Sequence, residues 1–271
     1  MEEEKKPLEE LSEEELHGEN LNDRVKVLSP GMMVMKRFFD KQPIWFAVVW
    51  IAVYVLAFGN ADSLSEGLGV PKLLTCIVGA VLTAVLLLFL GRHGLLCYCG
   101  LRKMAVSWKS VGYFLPVMAL ATVNFWCGLQ WNMPPLHTAL YILSMVFVAF
   151  LEEVIFRGLL FRAMLPSGKR MAILVSSLTF GVGHIVNLLL GAELLSTALQ
   201  LVHASAIGFC FSAIFLATGS ILPCILAHAF INCTSAFAVQ PSVMGDVIVC
   251  IVVSVLAAGY GAWVLRRVRK S

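Results

Sequence analysis

The chain has 271 residues, of which 59% are hydrophobic and only 14% charged, with a formal net charge of +3. A soluble domain averages about a quarter charged residues. Ten of the seventeen acids also lie in the first 23 residues, so the rest is poorer still in acid. These proportions exclude an ordinary soluble domain and give no sign of a nucleic-acid partner. They describe an all-α, polytopic integral membrane helix bundle in the lipid bilayer behind a short acidic tail.

The tail, MEEEKKPLEELSEEELHGEN, has no basic segment followed by an apolar stretch, so it does not read as a signal peptide. Residues 1–23 read as a solvated, disordered cytoplasmic segment, and residues 24–271 as one transmembrane domain. Crossing a bilayer takes about 20 apolar residues. Windows between prolines, glycines and charge clusters give eight spans: 43–59, 73–91, 112–131, 137–165, 170–190, 194–217, 220–238 and 246–265. Little more than Gly219 divides the sixth from the seventh, which leaves a seven-span count open.

Basic residues test the count. Arg24, Lys26, Lys36, Arg37 and Lys41 precede the first span, and Arg92, Arg102, Lys103 and Lys109 follow the second. Arg162, Lys169 and Arg170 surround the turn after the fourth, and Arg266, Arg267, Arg269 and Lys270 follow the eighth. The alternate connections hold Lys72 alone. Basic residues favour the cytoplasmic side, so both termini are expected there and the even count is favoured. The eight cysteines lack metal or disulfide spacing, and no internal repeat supports an inverted-repeat transporter.

Ionisable residues inside a bilayer cost about 2.5–3.5 kcal/mol each at a helix centre. Those expected here are Glu152, Glu153 and Arg157 in the fourth span, His184 in the fifth, His203 in the sixth and His228 in the seventh, with the amides Asn124 and Asn232. Glu153 and Arg157 are spaced i, i+4 with the acid first, the favourable order for a helical ion pair. Glu152 points about 100° away and has no partner in its own turn. A desolvated carboxyl without a counter-charge suits a general base, while a structural ion cluster is the competing reading. Phe180 precedes His184 by four residues, as His228 precedes Asn232. His203 has no polar neighbour at that spacing and reads as a packing residue.

Depth brings these residues together. Glu152 and His184 each lie about 21 Å along their helices from the turn near Pro166, and His228 and Asn232 about 12–18 Å from Ser220. Polar groups on three helices thus overlap in level, which scattered packing residues need not do.

Glu152-Glu153-x-x-x-Arg157, Phe180-x-x-x-His184 and His228-x-x-x-Asn232, in this order and on separate spans, resemble the three motifs of the CPBP intramembrane proteases. These are the type II CAAX prenyl endopeptidases and their Abi-like bacterial relatives. The likeness covers roughly residues 110–240. It implies an endopeptidase in which Glu152 and His184 activate water, and His228 and Asn232 stabilise the oxyanion. Glu153 and Arg157 would brace the base, and Phe180 would orient His184. The substrate would be a peptide or membrane-associated protein, of CAAX or leader type. The resemblance admits both a metalloprotease and a metal-independent glutamate protease. Glu152, His184 and His228 are the zinc candidates, but no HExxH occurs, and the reading leans to a metal-independent water.

Other intramembrane proteases fit poorly. There is no GxSG. Met244-Gly245-Asp246 half resembles GxGD, and no second intramembrane aspartate is expected. The alternatives are a proton-coupled transporter, which also uses buried Glu, Arg and His, and a non-enzymatic immunity-type membrane protein. The lack of a long N-terminal extension favours a bacterial cell-membrane member.

Overall fold

The computed structural model describes residues 30–103 and 114–268. The acidic segment 1–23 and the basic residues Arg24, Lys26, Lys109, Arg269 and Lys270 lie outside them. Among the described residues the fold is all helical, with one isolated bridge, Leu129 to Ala238.

A short helix, α1 (Pro30–Lys41), leads into α2 (Pro43–Gly67) and α3 (Leu73–Arg92). A short α4 (Leu115–Ala121) ends in a 3-10 turn, Thr122–Phe125. Next come α5 (Pro135–Glu153), α6 (Lys169–Val182), α7 (Leu194–Thr218), α8 (Leu222–Thr234) and α9 (Val243–Val268). With their continuations, six of these helices are long and apolar enough to cross a membrane: α2, α3, α5, α6, α7 and α9. The apolar stretches Leu115–Phe125 and Leu222–Phe237 are shorter. The third expected span therefore shrinks: after Phe125 the chain leaves the helix, and Gln130 N–H bonds the Phe237 carbonyl at 2.9 Å.

Helix ends follow local chemistry. Pro43 and Pro135 open α2 and α5, where the missing N–H costs nothing. Gly219, at φ +65°, closes α7 by donating its N–H to the Phe215 carbonyl. That one residue separates α7 from the turn into α8. The first span was expected to stop at residue 59, yet α2 runs to Gly67. The polar run Asn60-Ala61-Asp62-Ser63 holds no breaker, and Asp62 bonds Lys72 at 2.7 Å and the Thr75 hydroxyl. Lys72, the one basic residue expected in its set of connections, is paired. It is also the one described non-glycine residue at positive φ.

α5 occupies the middle of the bundle, touching α3 and α8. At Glu153 its pitch changes: Val154–Phe161 is a π-helix, and the rod continues to Ser167. All eight π-helical residues are buried, between α2 on one side and α6 on the other. Gly158 lets the loop after α3 close in: a Cβ there would lie 3.0 Å from Cys99 Cβ and 3.1 Å from its carbonyl. Large apolar side chains such as Trp45, Leu56, Ile77, Leu178 and Val255 are exposed on the outer helix faces. A soluble monomer rarely shows so much apolar surface; a bilayer covers it.

Candidate active site

The site forms where the π-helical segment begins. Single-turn π segments occur often at functional sites, because the altered pitch re-aims side chains. Here Glu152 and Glu153 sit on the last α-helical turn and Arg157 in the π segment. The i, i+4 pair foreseen from the spacing is present: Arg157 Nη1 donates to Glu153 Oε1 at 2.9 Å, and both side chains are fully inaccessible.

His228, from α8, bridges the two glutamates. Its Nδ1 lies 2.9 Å from Glu153 Oε1 and its Nε2 lies 3.5 Å from Glu152 Oε2. A carboxylate oxygen only accepts, so Nδ1 carries the proton and Nε2 is turned toward Glu152. Glu153 therefore receives both Arg157 and His228 on one oxygen.

Glu152 is not unpartnered, as its helical position alone suggested. The hydroxyl of Tyr54, on α2, donates to Glu152 Oε1 at 2.6 Å. Tyr54 escaped the sequence reading because a tyrosine in an apolar span looks like packing. A signal was present in Asp62, further along the same helix, which lines the same cavity.

Phe180, on α6, lies at the centre. The Arg157 guanidinium sits 4.2 Å from its ring centroid, and the rings of His184 and His228 meet it edge-on at 5.6 and 5.7 Å. Among the described residues, Arg157 Nε and Nη2 have no hydrogen-bond acceptor. The flat cation gains from the aromatic faces of Phe180 and, at 5.7 Å, Phe211. Gly208 makes room, since a Cβ there would stand 3.0 Å from Arg157 Nη2 and 3.2 Å from the Phe180 ring.

His184 sits in a 3-10 turn, Gly183–Ile185, where α6 tightens. Its Nδ1 donates to the Phe180 carbonyl at 3.1 Å, which leaves Nε2 as an acceptor in the neutral ring. Glu152 and His184 line one cavity of about 150 Å³, together with Tyr54, Asp62 and Asn187 and an apolar wall including Phe156 and Phe180. His228 stands behind Glu152 rather than in this lining. Asn232, one turn further along α8, is half-buried and outside the lining, and among the described residues its side chain makes no hydrogen bond. Of the expected set, then, contacts or a shared cavity join Glu152, Glu153, Arg157, Phe180, His184 and His228, and Asn232 makes no hydrogen bond to them.

Asn124 serves structure, its amide bonding the Ile231 carbonyl at 2.5 Å and the Thr234 hydroxyl at 2.9 Å. His203, expected as a packing residue, bonds the Leu199 carbonyl of its own helix and lines a second cavity with Gln200 and Asp246. A second aspartate within a span does exist, Asp62, but it is engaged by Lys72 and Thr75 and lines the Glu152 cavity, not that of Asp246. The three zinc candidates do not close into a ligand set. Among the described residues no three His, Cys, Asp or Glu groups gather in a metal-holding arrangement. His228 also spends one nitrogen on Glu153. The eight cysteines are all free thiols.

Comparison with curated proteins and with solved structures returned no match. Residues 134–234 match a family model described as Rce1-like: type II CAAX prenyl endopeptidase Rce1-like. The matched stretch holds Glu152, Glu153, Arg157, Phe180, His184, His228 and Asn232 but not Tyr54. The segment that builds the polar centre of this helix bundle, residues 134–234, is therefore similar to the Rce1-like family.

Proposed function

We propose that this protein is an intramembrane endopeptidase. It hydrolyses a peptide bond of a membrane-associated substrate, of CAAX or leader-peptide type, with a water activated by Glu152 and His184. One observation carries the reading: Glu152 and His184, from different helices, face the same small cavity inside an apolar bundle. The Rce1-like match over the same residues supports it.

The roles follow from the contacts. Glu152 Oε2 takes the proton of the attacking water, while Tyr54 fixes Oε1 and so orients the carboxylate. His184 Nε2, directed by the bond from Nδ1 to the Phe180 carbonyl, orients the same water. His228 Nε2, beside Glu152, receives the proton from the carboxyl and returns it to the leaving amine. Glu153 fixes the tautomer of His228, and Arg157 neutralises Glu153. Asn232 would approach the oxyanion only with substrate bound, as a side-chain donor from α8. Among the described residues no three His, Cys, Asp or Glu side chains gather in a metal-holding arrangement, and the proposed roles use the side chains alone.

Orientation belongs to the same proposal. Arg102 Nε bonds the Gly219 carbonyl at 2.9 Å, which brings the loop after α3 to the end of α7. Alternation of helices places Lys41, Arg92, Arg162, Arg170 and Arg266 at that end, supporting a cytoplasmic face there in a cell membrane.

The test is cleavage of membrane-proximal peptides by purified protein in lipid nanodiscs. Glu152→Gln, which keeps the shape, is expected to lower kcat by about 10²–10⁴-fold with unfolding temperature retained. Undiminished cleavage by Glu152→Gln would discard the proposal. Transport driven by a pH gradient in liposomes, with no cleavage of any peptide, would replace it with the transporter reading.

A further inference from the structure

Hydrolysis inside a bilayer needs water, and the cavity of Glu152 and His184 is walled mainly by Val55, Phe58, Val148, Phe156 and Leu190. A second cavity, of about 290 Å³, lies at the start of α7 and α9. It contains Asn124, Gln200, His203 and Asp246, with Ser196 and Gln240 exposed at its rim. It has room for several waters, and Asn124, Gln200, His203 and Asp246 offer them polar partners.

The two cavities share a wall. Asn187, which lines the Glu152 cavity, donates its amide to Gln200 Oε1 at 2.8 Å, and Gln200 lines the second cavity. The histidines on either side match: His184 Nδ1 donates to the Phe180 carbonyl, and His203 Nδ1 to the Leu199 carbonyl at 3.2 Å. Each leaves Nε2 free to accept, and the two rings are within electrostatic reach of each other. The path from rim to Glu152 thus runs over polar atoms: Ser196 and Gln240, then His203 and Gln200, then Asn187 and His184.

We propose that the second cavity is the water antechamber of the enzyme, and that the Asn187–Gln200 bridge passes water from it to the Glu152–His184 cavity. This rests on the hydrolase reading for its purpose, but the route can be tested without any cleavage. One hydrogen bond across the wall closes the path and can open by a side-chain rotation, with no movement of a helix.

Radiolytic hydroxyl labelling read by mass spectrometry reports bound or exchanging water beside a side chain. In the full-length protein in nanodiscs, labelling is expected at Cys250, in the antechamber, and at Phe180 and His184. Gln200→Leu replaces the bridge with an apolar plug. Labelling at Phe180 and His184 should fall by about tenfold, since a water passing a leucine forfeits one hydrogen bond, while Cys250 labelling holds. His203→Phe, which fills the antechamber from a second side, should give the same fall. In both variants kcat drops and KM holds, because substrate binding is untouched. Unchanged labelling at Phe180 and His184 in both variants overturns the route even if the protein cleaves peptides. Labelling that falls as expected in a protein that cleaves nothing keeps the route and removes the hydrolase reading.

Discussion

Two polar islands stand in this apolar bundle, and they meet the cost of burial in opposite ways. Around Glu153 and Arg157 the side chains are fully enclosed, and charge answers charge: one carboxylate oxygen takes both the guanidinium and His228. Around His203 the groups are mostly neutral, half-buried and backed by a carbonyl of their own helix, and the rim reaches the surface. A buried charge without a partner costs several kcal/mol, whereas an amide or imidazole needs only a hydrogen bond, which water can supply. Enclosure therefore goes with ion pairing and openness with neutral polarity. On the proposed reading, the first island sets the geometry of the general base Glu152, and the second keeps a wet path beside it.

Breaking the enclosed island is expected to give the largest effect. Arg157→Ala strands Glu153 without its cation and should cost about 3–5 kcal/mol, read as a fall in thermal unfolding temperature in detergent. Arg157→Lys restores charge but not the flat face over Phe180, and should recover only part of this loss. If both variants unfold like wild type, the pairing has no structural weight and the contrast fails.

The packing between the islands comes next. Gly181 faces α7 so closely that a Cβ would lie 1.9 Å from Ser205 Oγ and 2.7 Å from the Leu201 carbonyl. Ser205 can rotate, but the backbone carbonyl cannot. Gly181→Ala should push α6 from α7, cost about 1–3 kcal/mol, and lower activity through a displaced His184.

Tyr54→Phe sharpens the contrast within the first island. It removes one donor to Glu152 and keeps the ring against Phe58. Stability should fall by about 1 kcal/mol, and kcat should fall by about tenfold with KM held. A change in KM alone would make Tyr54 a substrate contact instead.

The smallest effect is expected in the open island. Asp246→Asn, at a half-buried rim position, should change stability by less than about 0.5 kcal/mol. A loss like that of Arg157→Ala would show that the antechamber is a closed structural core.

Much of the site was legible because intramembrane charge is so rare. With few candidates, the spacing 152, 153, 157 and the histidines at 184 and 228 stood out against an apolar background. The internal pairing of Glu153 with Arg157 was legible because it is local, set by one helical turn. Tyr54 was not, since its partner lies 98 residues away and no local pattern marks it. The bond from His228 to Glu153 was hidden for the same reason. Placing His228 and Asn232 on one face of α8 was sound helix geometry. It could not show that α8 packs against α5 so that His228 meets the glutamates and Asn232 does not.

By itself, the amino-acid sequence determined that this chain is a membrane helix bundle, roughly where its helices run, and which few side chains carry charge into it. Hydropathy and helical periodicity are local properties, and they need no knowledge of neighbours. Only the tertiary structure decided that α5 widens into a π-helix after its glutamates and that Tyr54 reaches Glu152. It also decided that a single amide bridge separates two cavities. Those outcomes depend on which helix faces touch, and that is settled by packing among distant segments.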